Sequence, residues 1–239
     1  MIEIYSINYN RPDLIGYQYD SIVKFVQNDY EFIIIDNSTV DEIKSEIRSK
    51  CQTLGLKYID AENKTNYEAF THGQARAYGL SQFVSDAKKS KCRDLLLIEQ
   101  DVFFCSDFKY LRESLSKYAL GGVKQVRESL EFIHAGILYI NKELFDGLET
   151  LNLSGDVEEN GVLNPDLNGI SVDIGGRTHK YVMSNKEKVL FIDNYVNLLI
   201  ETPDTKKHVF YHMSRGIAWY VNYNILNQKR IGIIENFLY

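Results

Sequence analysis

Phe32-Ile33-Ile34-Ile35-Asp36-Asn37-Ser38-Thr39 is the stretch from which the fold class is read. Four large apolar side chains follow one another without polar alternation, and three of them are β-branched. A strand needs such a run only when both of its faces are covered, as in the parallel sheets of α/β proteins. The run stops at four residues that turn the chain and offer side-chain oxygens to cap a following helix. That helix is expected over Glu42 to Leu54, with Gly55 as its terminator.

Working outward, Ile2 to Asn8 reads as a strand bounded by Asn10-Arg11-Pro12-Asp13. Asp13 is expected to cap a helix from Leu14 to Gln27, where Ile15, Tyr19, Ile22, Val23 and Val26 recur at helical spacing. Downstream come a strand at Leu56 to Ile59, a helix at Tyr67 to Ala87, and an apolar stretch from Asp94 to Phe104. This rhythm predicts a single α/β domain with a Rossmann-like, mostly parallel sheet flanked by helices. Ligands of such sheets bind at the carboxyl ends of the strands. Those ends carry Asn8 to Arg11, Asp36 to Ser38, Asp60 to Asn63, and Glu99 to Asp101, a polar and acidic rim.

The second half is less regular. A strand is expected at Phe132 to Ile140 and a short helix at Lys142 to Leu151. The segment Asn152 to Asn168 reads as a loop. A helix near Thr178 to Ser184 and strands at Val189 to Ile192 and His208 to His212 complete the reading. The chain is 239 residues long, with a formal charge of −6. A nucleic-acid partner needs a basic face, so that class is set aside; the run Lys88-Lys89-Ser90-Lys91-Cys92-Arg93 reads as a solvated helix end. Cys51, Cys92 and Cys105 show no metal or redox spacing, and no apolar stretch approaches the roughly 20 residues of a spanning helix. A cytoplasmic chain without a transmembrane segment is the expectation.

Leu95-Leu96-Leu97-Ile98-Glu99-Gln100-Asp101 delivers two carboxylates to a strand end. In a continuing strand, residues two apart share a side, so Glu99 and Asp101 would face one divalent ion. Mg²⁺ and Mn²⁺ favour such oxygen ligands and commonly combine them with substrate phosphates.

With these residues in view, a resemblance is apparent. Ile4 to Pro12 resembles the opening strand and nucleotide-binding turn of GT-A glycosyltransferases, family 2 above all. Ile33 to Asp41 is similar to that family's second strand and turn, and Glu99-Gln100-Asp101 falls where the family has its Asp-x-Asp motif. The resemblance implies a nucleotide-diphospho-sugar donor (UDP- or GDP-type), a glycan or other hydroxyl acceptor, and a Mn²⁺ or Mg²⁺ cofactor. It implies residues 1–105 as the nucleotide-sugar-binding half and 106–239 as the acceptor-binding and catalytic half of one domain. On the donor side it points to Asn8, Asn10, Arg11, Asp36, Ser38, Arg76 and Glu99, with Asp36 near base or ribose. Asp101 would bind the metal directly, with Glu99 acting through ribose or water. His212, in the run Val209 to Gly216, is where many relatives supply a metal-binding histidine. Asp173 lies where inverting members carry a catalytic base, and reads equally as a helix cap; Asp156, Glu158 and Glu159 are rivals for the base. The helix segment Thr71 to Gly79 only approximates the family pattern, so His72 and Arg76 read as diphosphate contacts or as ordinary helix surface. A nucleotide-sugar- or glycan-binding domain without turnover is the alternative. A methyltransferase is disfavoured because Val172 to Gly176 lacks the further glycine of that class, and a nucleotidyltransferase because Asn8 to Asp13 has none.

Overall fold

The structure, a computed structural model, describes residues 1–239 except 28, 64–71, 156–169, 171, 194, 197–206 and 214–222, with backbone alone at 72–75, 195–196 and 223–227. The elements in chain order are β1 (Ile2–Asn8), α1 (Pro12–Phe25), β2 (Tyr30–Asp36), α2 (Asp41–Leu54), β3 (Lys57–Asp60), α3 (His72–Lys89), β4 (Asp94–Glu99) and β5 (Val102–Phe104). There follow α4 (Lys109–Leu115), β6 (Leu120–Arg127), β7 (Leu130–Asn141), α5 (His179–Ser184), β8 (Val189–Phe191), β9 (Tyr195–Val196), β10 (Phe210–His212) and α6 (Tyr223–Leu238).

Seven strands form one sheet in the order β3-β2-β1-β4-β7-β6-β8, and β5-β10-β9 form a second, small sheet. Only β7 runs against its neighbours in the large sheet. The α/β expectation is met, and the reason is visible in β2: Ile33, Ile34 and Ile35 are all fully buried. Ile33 and Ile35 pack with Phe83 of α3 and Val182 of α5 on one face. Ile34 packs with Ile22 of α1, Ile47 of α2 and Leu115 of α4 on the other. Gly55 ends α2 at φ 67°, the left-handed region that glycine enters without steric cost.

Several local expectations are corrected. Asp13 does not cap α1: Arg11 holds the cap position, Pro12 supplies the first turn, and Asp13 pairs with Arg11. Val40 precedes α2 without a side-chain cap, because Asp36 instead accepts the Ser38 N–H within its own turn. Lys142 to Leu151 is turns and one 3₁₀ turn at Leu148–Thr150, not a helix. The basic run is only partly a solvated helix end, since Cys92 is buried and Arg93 holds Asp94. The start expected for the third helix lies outside the described residues, as do 156–168 of the expected loop.

At the amino end of β4, buried Asp94 accepts from Arg93 Nε and Nη2 at 2.9 Å each, from the Tyr139 hydroxyl at 2.7 Å and from Arg112 Nη2 at 3.3 Å. Burial alone would raise its pKa, but the hydrogen bonds of Arg93 and Tyr139 and the Arg93 charge outweigh it and hold the carboxyl below the usual range. A depressed folded-state pKa stabilises above the unfolded value of about 3.9 and is lost as pH falls through the folded one. Asp94→Asn is therefore expected to lower stability at pH 7 by about 3 kcal/mol, the low end for a broken buried pair, because Arg93 regains water. Urea titrations should show the difference between variant and wild type shrinking below about pH 4; a constant difference down to strongly acid pH contradicts the assignment.

Candidate functional site

The chain leaves the large sheet at Glu99, turns through Gln100 and Asp101, and enters the small sheet at Val102. Glu99 and Asp101 are thus not brought together by strand alternation, as the sequence suggested, but by a turn across the seam of two sheets. The turn is fixed from several sides. Gln18 of α1, fully buried, donates its amide to the carbonyls of Glu99 and Val102 at 2.9 and 3.0 Å. Its own oxygen accepts from Ser6 Oγ at 2.8 Å. The Met213 N–H donates to the Asp101 carbonyl at 2.9 Å, and β10 pairs with β5 so that His212 lies opposite Val102.

This architecture carries His212 to the two acids. His212 Nε2 is 3.2 Å from Asp101 Oδ1 and 3.6 Å from Glu99 Oε2, and one donor atom from each residue lies within 4.8 Å of the others. Burial alone would lower the His212 pKa, but the Asp101 carboxylate outweighs it and raises the value. Burial likewise pushes Asp101 up, while His212 and then Arg76 bring it below its ordinary value. Each partner thus favours the charged form of the other. An octahedral ion with metal–oxygen distances near 2.1 Å places neighbouring ligands about 3 Å apart and opposite ones about 4 Å apart. The separations fit such an ion.

Arg76 of α3 bridges this cluster to Asp173. Its Nη2 lies 3.4 Å from Glu99 Oε1 and its Nη1 donates to Asp173 Oδ1 at 3.1 Å. Beyond Asp173 stands His134 of β7, with Nε2 3.6 Å from Asp173 Oδ2. The Gly136 N–H donates to His134 Nδ1 at 3.1 Å, which leaves Nε2 as the protonated nitrogen facing Asp173. A bulge makes this possible. One step along β6, from Gly122 to Val123, corresponds to four along β7, from Leu138 to His134, so residues 135–137 bow out at the site. Gly136 leaves room there for both side chains, since a Cβ would sit 2.7 Å from Glu99 Oε2 and from His134 Nδ1 and would force them to shift.

The segment carrying Asp173 packs onto the same bulge. Gly175, at φ 86°, passes so close that a Cβ would meet the Ile133 carbonyl oxygen at 2.0 Å. The Ile133 N–H donates to Thr178 Oγ1, and Gly175 N–H to the Leu153 carbonyl. Asp173 does not cap the helix: Gly175 precedes the 3₁₀ turn and Thr178 precedes α5, neither with a side-chain cap. Burial would raise the Asp173 pKa, but the His134 imidazole beside it and the Arg76 charge hold it well below the carboxylate range.

The other expected donor-side residues lie in the loops beside this cluster. Asn8 Oδ1 accepts the Arg11 N–H and its amide donates to the Arg11 carbonyl, closing the β1–α1 loop. Asp36 is wholly buried, and its oxygens accept the Ser38 N–H and the Tyr58 hydroxyl. Ser38, also buried, accepts the Asn10 N–H. Asp36, Asn8 and Ser38 thus shape the loops from within, while the Arg11 guanidinium pairs with Asp13 at the surface. Asp156, Glu158 and Glu159 lie outside the described residues, as do Ser214, Arg215 and Gly216 and the side chain of His72. Gln18, His134 and Gly136 were not anticipated; a buried glutamine and an isolated histidine give no signal until the fold brings their partners near.

No family model matches the chain, and no curated protein matches it in sequence. Solved structures do match in fold. The galactosyltransferase LgtC, in complex with donor and acceptor sugar analogues, aligns with a TM-score of 0.59 at 10% identity, covering 98% of this chain and 95% of that one. A mannosyltransferase from Pyrobaculum calidifontis, in complex with GDP-Man and Mn²⁺, gives 0.55 at 12% identity, covering 98% of this chain and 64% of that one. Glucosyl-3-phosphoglycerate synthase from Mycobacterium tuberculosis, with Mn²⁺, UDP and glucosyl-3-phosphoglycerate, gives 0.51 at 13%, covering 100% and 80%. The fold is that of GT-A glycosyltransferases. Among the described residues, no helix is long and apolar enough to cross a membrane.

Proposed function

We propose that this chain is a divalent-metal-dependent glycosyltransferase, moving a sugar from a UDP- or GDP-type donor to a glycan or other hydroxyl acceptor. The observation that carries the reading is the meeting of Glu99, Asp101 and His212, from two sheets, at the carboxyl ends of the parallel strands. Two carboxylates and a diphosphate repel one another unless a cation joins them. A bound divalent ion would supply that charge and polarise the diphosphate as it departs. Three protein ligands leave about three octahedral positions for phosphate oxygens and water. The imidazole favours Mn²⁺ over Mg²⁺, because Mg²⁺ prefers oxygen alone.

Within this reading, residues 1–105 bind the nucleotide and the remainder supplies the acceptor side, with His212 reaching back to the metal. Asn8, Asn10, Arg11, Asp36 and Ser38 form the nucleoside loops. Arg76 stands between metal and sugar, where a guanidinium can hold a diphosphate oxygen. Asp173 is the base that accepts the acceptor hydroxyl proton, and an inverted product anomer follows from that role; Asp156, Glu158 and Glu159 remain its rivals. A cytoplasmic location belongs to the same proposal. A thermal-shift screen of UDP- and GDP-sugars with and without Mn²⁺ tests it. A donor present at 100 times its dissociation constant should stabilise the fold by about 2.7 kcal/mol. A screen in which no nucleotide sugar shifts the melting temperature in the presence of Mn²⁺ overturns the reading.

A further inference from the structure

The loops following β1, β2 and β4 are joined by one run of hydrogen bonds. The Tyr9 N–H donates to Gln100 Oε1 at 2.6 Å. The next N–H, that of Asn10, donates to Ser38 Oγ at 2.9 Å. Ser38 N–H donates to Asp36 Oδ1 at 3.0 Å, and the other Asp36 oxygen accepts from the Tyr58 hydroxyl at 3.0 Å. Asn10 has φ 55°, a conformation that asparagine tolerates but that still needs support from its surroundings. The support is visible: two consecutive N–H groups at this turn are tied to two different neighbouring loops.

Gln100 sits between two acids of the metal cluster, yet its side-chain oxygen is committed to Tyr9. Gln18 pins the carbonyls of Glu99 and Val102, on either side of Gln100 and Asp101. With the Asp101 carbonyl also held by the Met213 N–H, Gln100 is the residue of the turn left to adjust its backbone on ion binding. An ion that drew Glu99 and Asp101 together would move the Gln100 backbone, and Gln100 Oε1 would pass that movement to Tyr9, the residue before Asn10.

The geometry points to Gln100 as a positioning residue that couples metal occupancy to the conformation of the β1–α1 loop, and through it to nucleoside binding. This rests on the reading of Glu99, Asp101 and His212 as a metal site. Coupling of this kind is reciprocal, so a nucleoside held by that loop tightens the metal without touching it. The middle position of the acidic turn is then a strut rather than a spacer.

Hydrogen–deuterium exchange by mass spectrometry tests this with Mn²⁺ as the only added ligand. In the wild type, the peptide containing the Tyr9 and Asn10 amides should exchange about fivefold more slowly with saturating Mn²⁺, the effect of strengthening about one hydrogen bond. Gln100→Leu should still bind Mn²⁺ by calorimetry but exchange faster there and show no response to the ion. Gln100→Glu, which retains an acceptor oxygen at the same reach, should restore the response. Wild-type protein that binds Mn²⁺ with unchanged exchange at Tyr9 and Asn10 overturns the coupling alone, as does a Gln100→Leu variant that still responds. A change spread evenly over the whole chain reduces Gln100 to an ordinary structural residue. Failure of the wild type to bind Mn²⁺ overturns the metal reading and the coupling together.

Discussion

Asp101→Asn should give a folded protein whose affinity for UDP or GDP no longer responds to Mn²⁺. Asparagine keeps the shape of the side chain, and the turn itself is held by Gln18, by the Met213 N–H and by the β5–β10 pairing rather than by the carboxylate. What disappears is a formal charge next to His212 and one anionic ligand of the ion. Outer partners of metal ligands already cost roughly 10- to 100-fold in affinity when removed, so loss of a direct ligand should cost at least about a hundredfold. The variant should remain folded without metal, though less stable for the lost His212 contact, while the stabilisation by nucleotide with Mn²⁺ collapses. If the variant and the wild type respond equally to chelator, the metal lies elsewhere.

Asp173→Asn should abolish transfer by at least about a hundredfold while donor binding persists. The carboxylate is 40% exposed on its side chain and caps no helix, so its ion pair with the similarly exposed Arg76 contributes little to stability. Glu99 continues to hold Arg76 when Asp173 is neutralised. The acid limb of the rate profile is a second check. With its pKa held low by His134 and Arg76 against the effect of burial, Asp173 remains ionised through the ordinary carboxylate range. Transfer should then show no loss attributable to Asp173 between pH 7 and about pH 5. Near-wild-type transfer by the asparagine variant moves the base to Asp156, Glu158 or Glu159.

The large sheet was legible because its signal is local. Ile33 to Ile35 must be buried on both faces wherever they sit, and no partner is needed to see it. The acidic turn was legible for a similar reason, since a buried strand that ends in carboxylates is conspicuous. The missing parts depend on contacts distant in sequence. β6 begins Leu120-Gly121-Gly122 and was not expected; the glycines are there because Leu115 and Ile133 occupy the space where their side chains would lie. Gln18 is an unremarkable polar position on a helix until Glu99 and Val102 arrive 81 and 84 residues later. His134 acquires its orientation only from a bulge that pairing with β6 creates.

The interval between Asp101 and His212, 111 positions (212 minus 101), also sets the order in which the molecule is built. At about 5–20 residues per second, translation exposes the two acids some 5–20 s before the histidine that joins them. During that time the nascent chain offers a divalent ion only a pair of carboxylates. The third group arrives when β10 docks on β5, so a site built from all three can form only after that pairing is made.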